Sequence, residues 1–67
     1  MINRNFIVLH NINNKTVSRF DFGEELDKAI NFIHDLMEEA YQKGEHQYLV
    51  IDEITQTRYY KQEFEIL

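Results

Sequence analysis

His10, His34 and His46 are the only imidazoles in a chain that has no cysteine, so metal or acid–base chemistry would have to start from them. Their spacings of 24 and 12 residues match no short ligand motif, and no second histidine lies within a helical turn of His34. A site assembled in space would draw on His46 with Asp52 or Glu53. Lone strand and loop histidines more commonly serve structure, so neither a metal nor a cofactor is expected. A covalent nucleophile would have to be Ser18, a threonine or a tyrosine, and no local sequence arranges a base or an oxyanion hole around any of them. Paired carboxylates need a pocket that shifts their pKa values, and 67 residues leave little room for one. The expectation is a protein that is not an enzyme.

Residues 48–53 (YLVIDE) form an apolar stretch ending in Asp-Glu, the arrangement that holds magnesium in P-loop ATPases. The likeness fails on context. That chemistry requires a glycine-rich phosphate loop ending Gly-Lys-Ser/Thr, and the chain has only Gly23 and Gly44.

The elements follow from periodicity. Residues 5–12 and 15–22 are β-rich, and Asn13-Asn14 between them suits the left-handed positions of a two-residue type I′ hairpin turn. That turn would set Ile7 opposite Phe20, Val8 opposite Arg19 and Leu9 opposite Ser18. Residues 23–43 read as one amphipathic helix, with Leu26, Ala29, Ile30, Ile33, Leu36, Met37, Ala40 and Tyr41 on its apolar arc. Asp21 and Glu24 have capping-box spacing, with Gly23 as a competing N-cap, and Lys43-Gly44 would end the helix. Residues 47–54 and 58–67 are again strands. A two-residue turn at Gln56-Thr57 would pair Leu49 with Phe64 and Asp52 with Lys61; a longer turn would shift that register by one.

The expected fold is therefore α+β, a single small domain over residues 1–67 with element order ββαββ. Its four-stranded antiparallel sheet has strand order 2-1-3-4, with one helix packed on one face. Strands one and three carry apolar residues in both alternating sets, as central strands do. Strands two and four carry Arg19, Asp21, Lys61, Glu63 and Glu65, charges that discourage open-ended edge pairing.

One helix covers one side of a sheet. The set Ile7, Leu9, Phe20, Phe22, Leu49, Ile51, Tyr60, Phe64 and Ile66 is assigned to the helix. Phe6, Val8, Val17, Tyr48, Val50 and Tyr59, with His10, Ile12 and Ile54, are left for the outer face. An isolated domain seldom exposes so large an apolar patch, and a chain this small without disulfides needs support. A homodimer through that face is expected, with Phe6, Val8, Val17, Tyr48, Val50 and Tyr59 at its interface.

Twelve acidic residues oppose seven basic ones, and −4 of the net −5 falls on residues 24–43. Asp27, Asp35, Glu38 and Glu39, with Phe32 just outside the apolar arc, form the candidate surface for a larger protein with a basic groove. The reading is a small acidic protein-interaction module, an inhibitor or regulator of phage or mobile-element type that acts as a homodimer on a nucleic-acid-binding target. The alternative is a single-strand nucleic-acid binder that stacks bases on Tyr48, Tyr59 or Phe6, with Arg4, Arg19, Arg58 and Lys61 nearby. The acidic balance argues against it. The longest apolar run is four residues and no signal-peptide stretch opens the chain, so a cytoplasmic setting and no membrane contact are expected. For a phage-encoded chain that setting is the host cytosol.

Overall fold

The computed structural model describes residues 3–67, so the first two residues of the expected domain lie outside it. β1 (Phe6–Ile12), β2 (Lys15–Gly23), α1 (Leu26–Glu39), β3 (Gly44–Asp52) and β4 (Thr57–Ile66) follow in the expected order. The strands form one antiparallel sheet ordered β2-β1-β3-β4.

Asn13 and Asn14 hold φ of 51° and 67°, and Ile12 pairs with Lys15, so the asparagine turn forms as the residue types require. Beyond the turn the register departs from expectation. Val17 is an extra residue between the pairs Asn11–Thr16 and His10–Ser18, so Val8 faces Phe20, Leu9 faces Arg19 and Ile7 faces Asp21. A second bulge at Phe22 follows between Ile7–Asp21 and Phe6–Gly23. Each bulge moves the pairing by one residue and turns side chains to the other face.

The second hairpin departs further. Its turn is residues 53–56, closed by Gln56 at φ 57°, and Leu49 pairs with Lys61 rather than Phe64. The displacement in the strand body is three residues, with Tyr59 bulged between Val50–Tyr60 and Ile51–Arg58.

These shifts reverse the assignment of the two faces. Phe6, Val8, Tyr48 and Val50, expected at an outer interface, are at most 1% exposed and form the core with Ala29 and Ile33 of α1. Phe20, Phe22, Tyr60 and Phe64 join them as expected. Ile7, Leu9, Leu49 and Ile51 instead make the aliphatic centre of the open face, paired Ile7–Ile51 and Leu9–Leu49. The physical reason is volume. The helix packs against the set carrying most of the aromatic surface, and the bulges let Phe20 and Phe22 reach the same side as Val8.

The helix is shorter than its periodic pattern. Gly23, in the left-handed region, still pairs with Phe6, so it serves β2 and not a cap. Asp21 is bound to Arg19 at 3.2 Å, and Glu25 occupies the N-cap position without a side-chain hydrogen bond. At the other end Ala40 is already extended, leaving Lys43 outside the last turn. The chain has to return to Gly44, where Asn13 accepts a hydrogen bond from the Glu45 amide at 3.0 Å and donates its own amide to the Glu45 carbonyl at 2.8 Å. No helix among the described residues is long and apolar enough to cross a membrane.

Candidate functional site

Of the expected partner-binding residues, Asp27, Asp35, Glu38 and Glu39 are all exposed on α1, and Glu39 also borders a cleft between the helix end and the sheet. They align because positions four and eight apart on a helix share a face. Among the described residues the one ion pair on α1 is Lys28–Glu25 at 3.1 Å, so none of the four carboxylates has a cation beside it. Glu38 and Glu39 stand in the last turn, which contains no basic residue. Negative charge there opposes the helix dipole and costs about 0.3–1 kcal/mol per group.

Phe32 is not a protruding anchor. Its ring packs edge-on to Phe20 at 4.7 Å and tilted on Phe22 at 5.3 Å, closing the core on the β2 side. The two aromatics that a one-residue bulge delivers to the same edge explain why a side chain outside the apolar arc is half-buried.

The dimer residues divide. Phe6, Val8, Tyr48 and Val50 are beneath the helix and unavailable to a second chain. Val17 (52% exposed) and Tyr59 (42% exposed) remain accessible because each is the extra residue of a bulge. Tyr59 packs edge-on to Phe6 at 5.1 Å. The open face differs from the patch that was expected. At one end Arg19 of β2 crosses β1 to bind Glu53 at 2.6 Å, with Asn5 donating to the same carboxylate at 3.0 Å, and Ile7 at this end is only 3% exposed. At the other end a side-chain ladder spans all four strands: Thr16 donates to Asn11 (2.6 Å), Asn11 to Gln47 (2.9 Å) and Gln47 to Glu63 (3.4 Å). Between these polar bands lie Leu9, Leu49 and Ile51, all partly buried.

Of the three rings named for a nucleic-acid platform, only Tyr59 is accessible. Phe6 and Tyr48 are covered, and among the described residues the open face carries no aromatic ring. Asp52 and Glu53 also have structural employment. Burial alone would raise the Asp52 carboxyl, but hydrogen bonds from the Asn5 and Ile54 amides, with Thr55 adding to them, hold it below the usual range. It anchors the start of β1 to the β3–β4 turn.

A cluster that spacing along the chain could not reveal forms at the C-terminal end of α1. His10 and His46 occupy neighbouring strands and face the helix side, with a 3.0 Å contact between His10 Nε2 and His46 Nδ1. His46 Nε2 lies 2.6 Å from the Gln42 carbonyl. A carbonyl only accepts, so Nε2 carries the His46 proton, Nδ1 accepts, and His10 donates through Nε2. His10 Nδ1 is left as the basic position. Burial, and then the nearness of His46, lower the His10 pKa. Tyr48 stacks on His10 at 4.3 Å, and burial raises its phenol. These groups line a cleft of about 220 Å³ with Ile12, Leu36, Glu39 and Tyr41. Alternation along β1 and β3 was the available signal, since it puts both histidines in one set; their cross-strand register was the missing part. Among the described residues, no group of three or more His, Cys, Asp or Glu side chains is placed to hold a metal ion.

Compared with known proteins, the chain matches no family model, no curated protein and no solved structure.

Proposed function

We propose that the chain is a small acidic protein-interaction module whose helix binds a basic surface of a larger, nucleic-acid-binding protein, as an inhibitor or regulator of phage or mobile-element type. One observation carries this reading: Glu38 and Glu39 sit uncompensated against the helix dipole, in line with Asp35 and Asp27, on a helix held rigid by Ala29 and Ile33. A solubilising surface has no need of acids where the backbone disfavours them. A stripe from Asp27 to Glu39 is about 18 Å long at 1.5 Å per residue, enough to span several cationic side chains of a groove. A fixed row of carboxylates on such a scaffold competes with phosphates for the same Lys and Arg residues.

The reading makes binding and stability move in opposite directions. Glu38→Lys with Glu39→Lys should stabilise the fold by about 0.5–2 kcal/mol in total, since cations favour a helix C-terminus. The same pair of changes should abolish capture of purified basic nucleic-acid-binding proteins by the immobilised chain. Capture should also weaken with salt and be competed by duplex DNA. Unchanged capture after reversal of these charges and of Asp35 would overturn the acidic-face reading.

A further inference from the structure

The two edges of the sheet are not equivalent. β2 is broken by bulges at Val17 and Phe22, which twist an edge away from further pairing. β4 is the longest strand at ten residues, and after its single bulge at Tyr59 it runs regularly from Tyr60 to Ile66. It closes the sheet on its side, so its outer backbone edge has no partner strand among the described residues. The helix lies over β1, β2 and β3, and Tyr60 and Phe64 of β4 are consequently only half-buried.

We infer that β4 is a self-pairing edge: a second copy of this chain adds antiparallel along β4, about a two-fold axis through Gln62, to make a continuous eight-stranded sheet with both helices on one side. The register follows from charge. Directly opposed residues of one sheet share a face, so in a symmetric antiparallel pair the axis has to fall on a residue. An axis on Lys61 sets lysine against lysine, and one on Glu63 sets glutamate against glutamate. On Phe64 it opposes Glu63 with Glu65, and on Tyr60 it runs into the bulged Tyr59. At Gln62 the pairs within the regular stretch from Tyr60 to Phe64 are favourable. Lys61 meets Glu63 twice on the open face, and Tyr60 meets Phe64 twice on the helix side, covering the aromatic surface that α1 leaves half-exposed. Lys61 and Glu63 already lie 3.4 Å apart within one chain and are both exposed, so two copies close an alternating square of four charges. The edge charges that oppose random pairing thus favour this one register. The inference is independent of the acidic helix, which would remain free on both copies.

Analytical ultracentrifugation across a concentration series up to about 1 mM tests it. Wild type is expected to form a dimer. Lys61→Glu and Glu63→Lys alone should each weaken self-association about tenfold or more, because each sets like charges opposite one another twice. An equimolar mixture of the two variants should recover dimers, since every opposed pair is then again unlike, as should the double swap within one chain. Both positions are exposed, and thermal melts monitored by circular dichroism establish that each variant is folded. Wild type that stays monomeric throughout would overturn the inference. So would a dimer that survives both single changes, or a mixture no more associated than its components. A dimer lost in Leu49→Lys and retained in Lys61→Glu would move self-association to the open face and equally refute edge pairing.

Discussion

His10 and His46 meet across neighbouring strands through a single 3.0 Å contact between His10 Nε2 and His46 Nδ1, with His46 Nε2 held on the Gln42 carbonyl at 2.6 Å. His10 Nδ1 takes no part in that contact and is the ring's remaining basic position. The β1–β3 register thus brings together two histidines that lie 36 residues apart in the chain.

The direction of the pH dependence follows from His10. Its pKa is lowered in the folded state, so the unfolded chain binds more protons through the interval below about 6.5. Stability contributed by the neutral imidazole is present above that value and declines as pH falls through it. His46, Tyr48, Tyr41 and Glu39 are the other titratable groups lining the cleft. Thermal melts between pH 8 and 5 should show a falling midpoint in wild type and a flatter profile in His10→Gln.

Asp52 acts in a lower range. Its folded pKa is depressed, so its contribution is present above the unfolded value of about 4 and is lost as pH falls through the folded one. Asp52→Asn should destabilise the protein at pH 7 and remove the part of acid unfolding below pH 4 that belongs to this carboxylate. Titration of denaturation midpoints against pH reads both effects.

The reversal of the faces is open to a paired test. Val8→Lys places a charge under the helix and should cost on the order of 4 kcal/mol, which for a domain of this size means unfolding. Leu9→Lys, one residue along and on the open face, should cost about 1 kcal/mol. Urea denaturation separates the two outcomes, and equal costs would contradict the packing described.

Gly44 is the glycine that close approach requires. A Cβ there would stand 2.9 Å from the side-chain nitrogen and oxygen of Asn13, and φ is 131°. Gly44→Ala should destabilise by about 1–3 kcal/mol, read as a lowered midpoint in chemical denaturation. Asn13→Ala removes the obstruction together with the Glu45 contact, so the double variant should lose less than the sum of the singles.

Element order, strand order and the helix were legible because each rests on local information. Two asparagines suit a left-handed turn wherever they occur between β-rich runs. The charged residues of β2 and β4 mark edges by composition alone, and the apolar arc of α1 repeats at helical spacing. The exposed carboxylates of the candidate surface were legible for the same reason, since they are the complement of that arc.

Register was not local. Whether Val17, Phe22 or Tyr59 bulges depends on which alternating set fits best beneath α1, and that comparison exists only when helix and sheet are packed together. A single extra residue inverts the side chains beyond it in its own strand, so Phe20 came to face Val8, and the helix covered the side that carries Phe6, Val8, Tyr48 and Val50. Phe32 became a core closure for the same reason, and His10 found His46. Sequence by itself thus determined the elements, their order and the acidic helix face, because these are written in neighbours along the chain. Tertiary structure alone decided which face of the sheet is buried, because that choice is made by volumes distant in sequence competing for one helix.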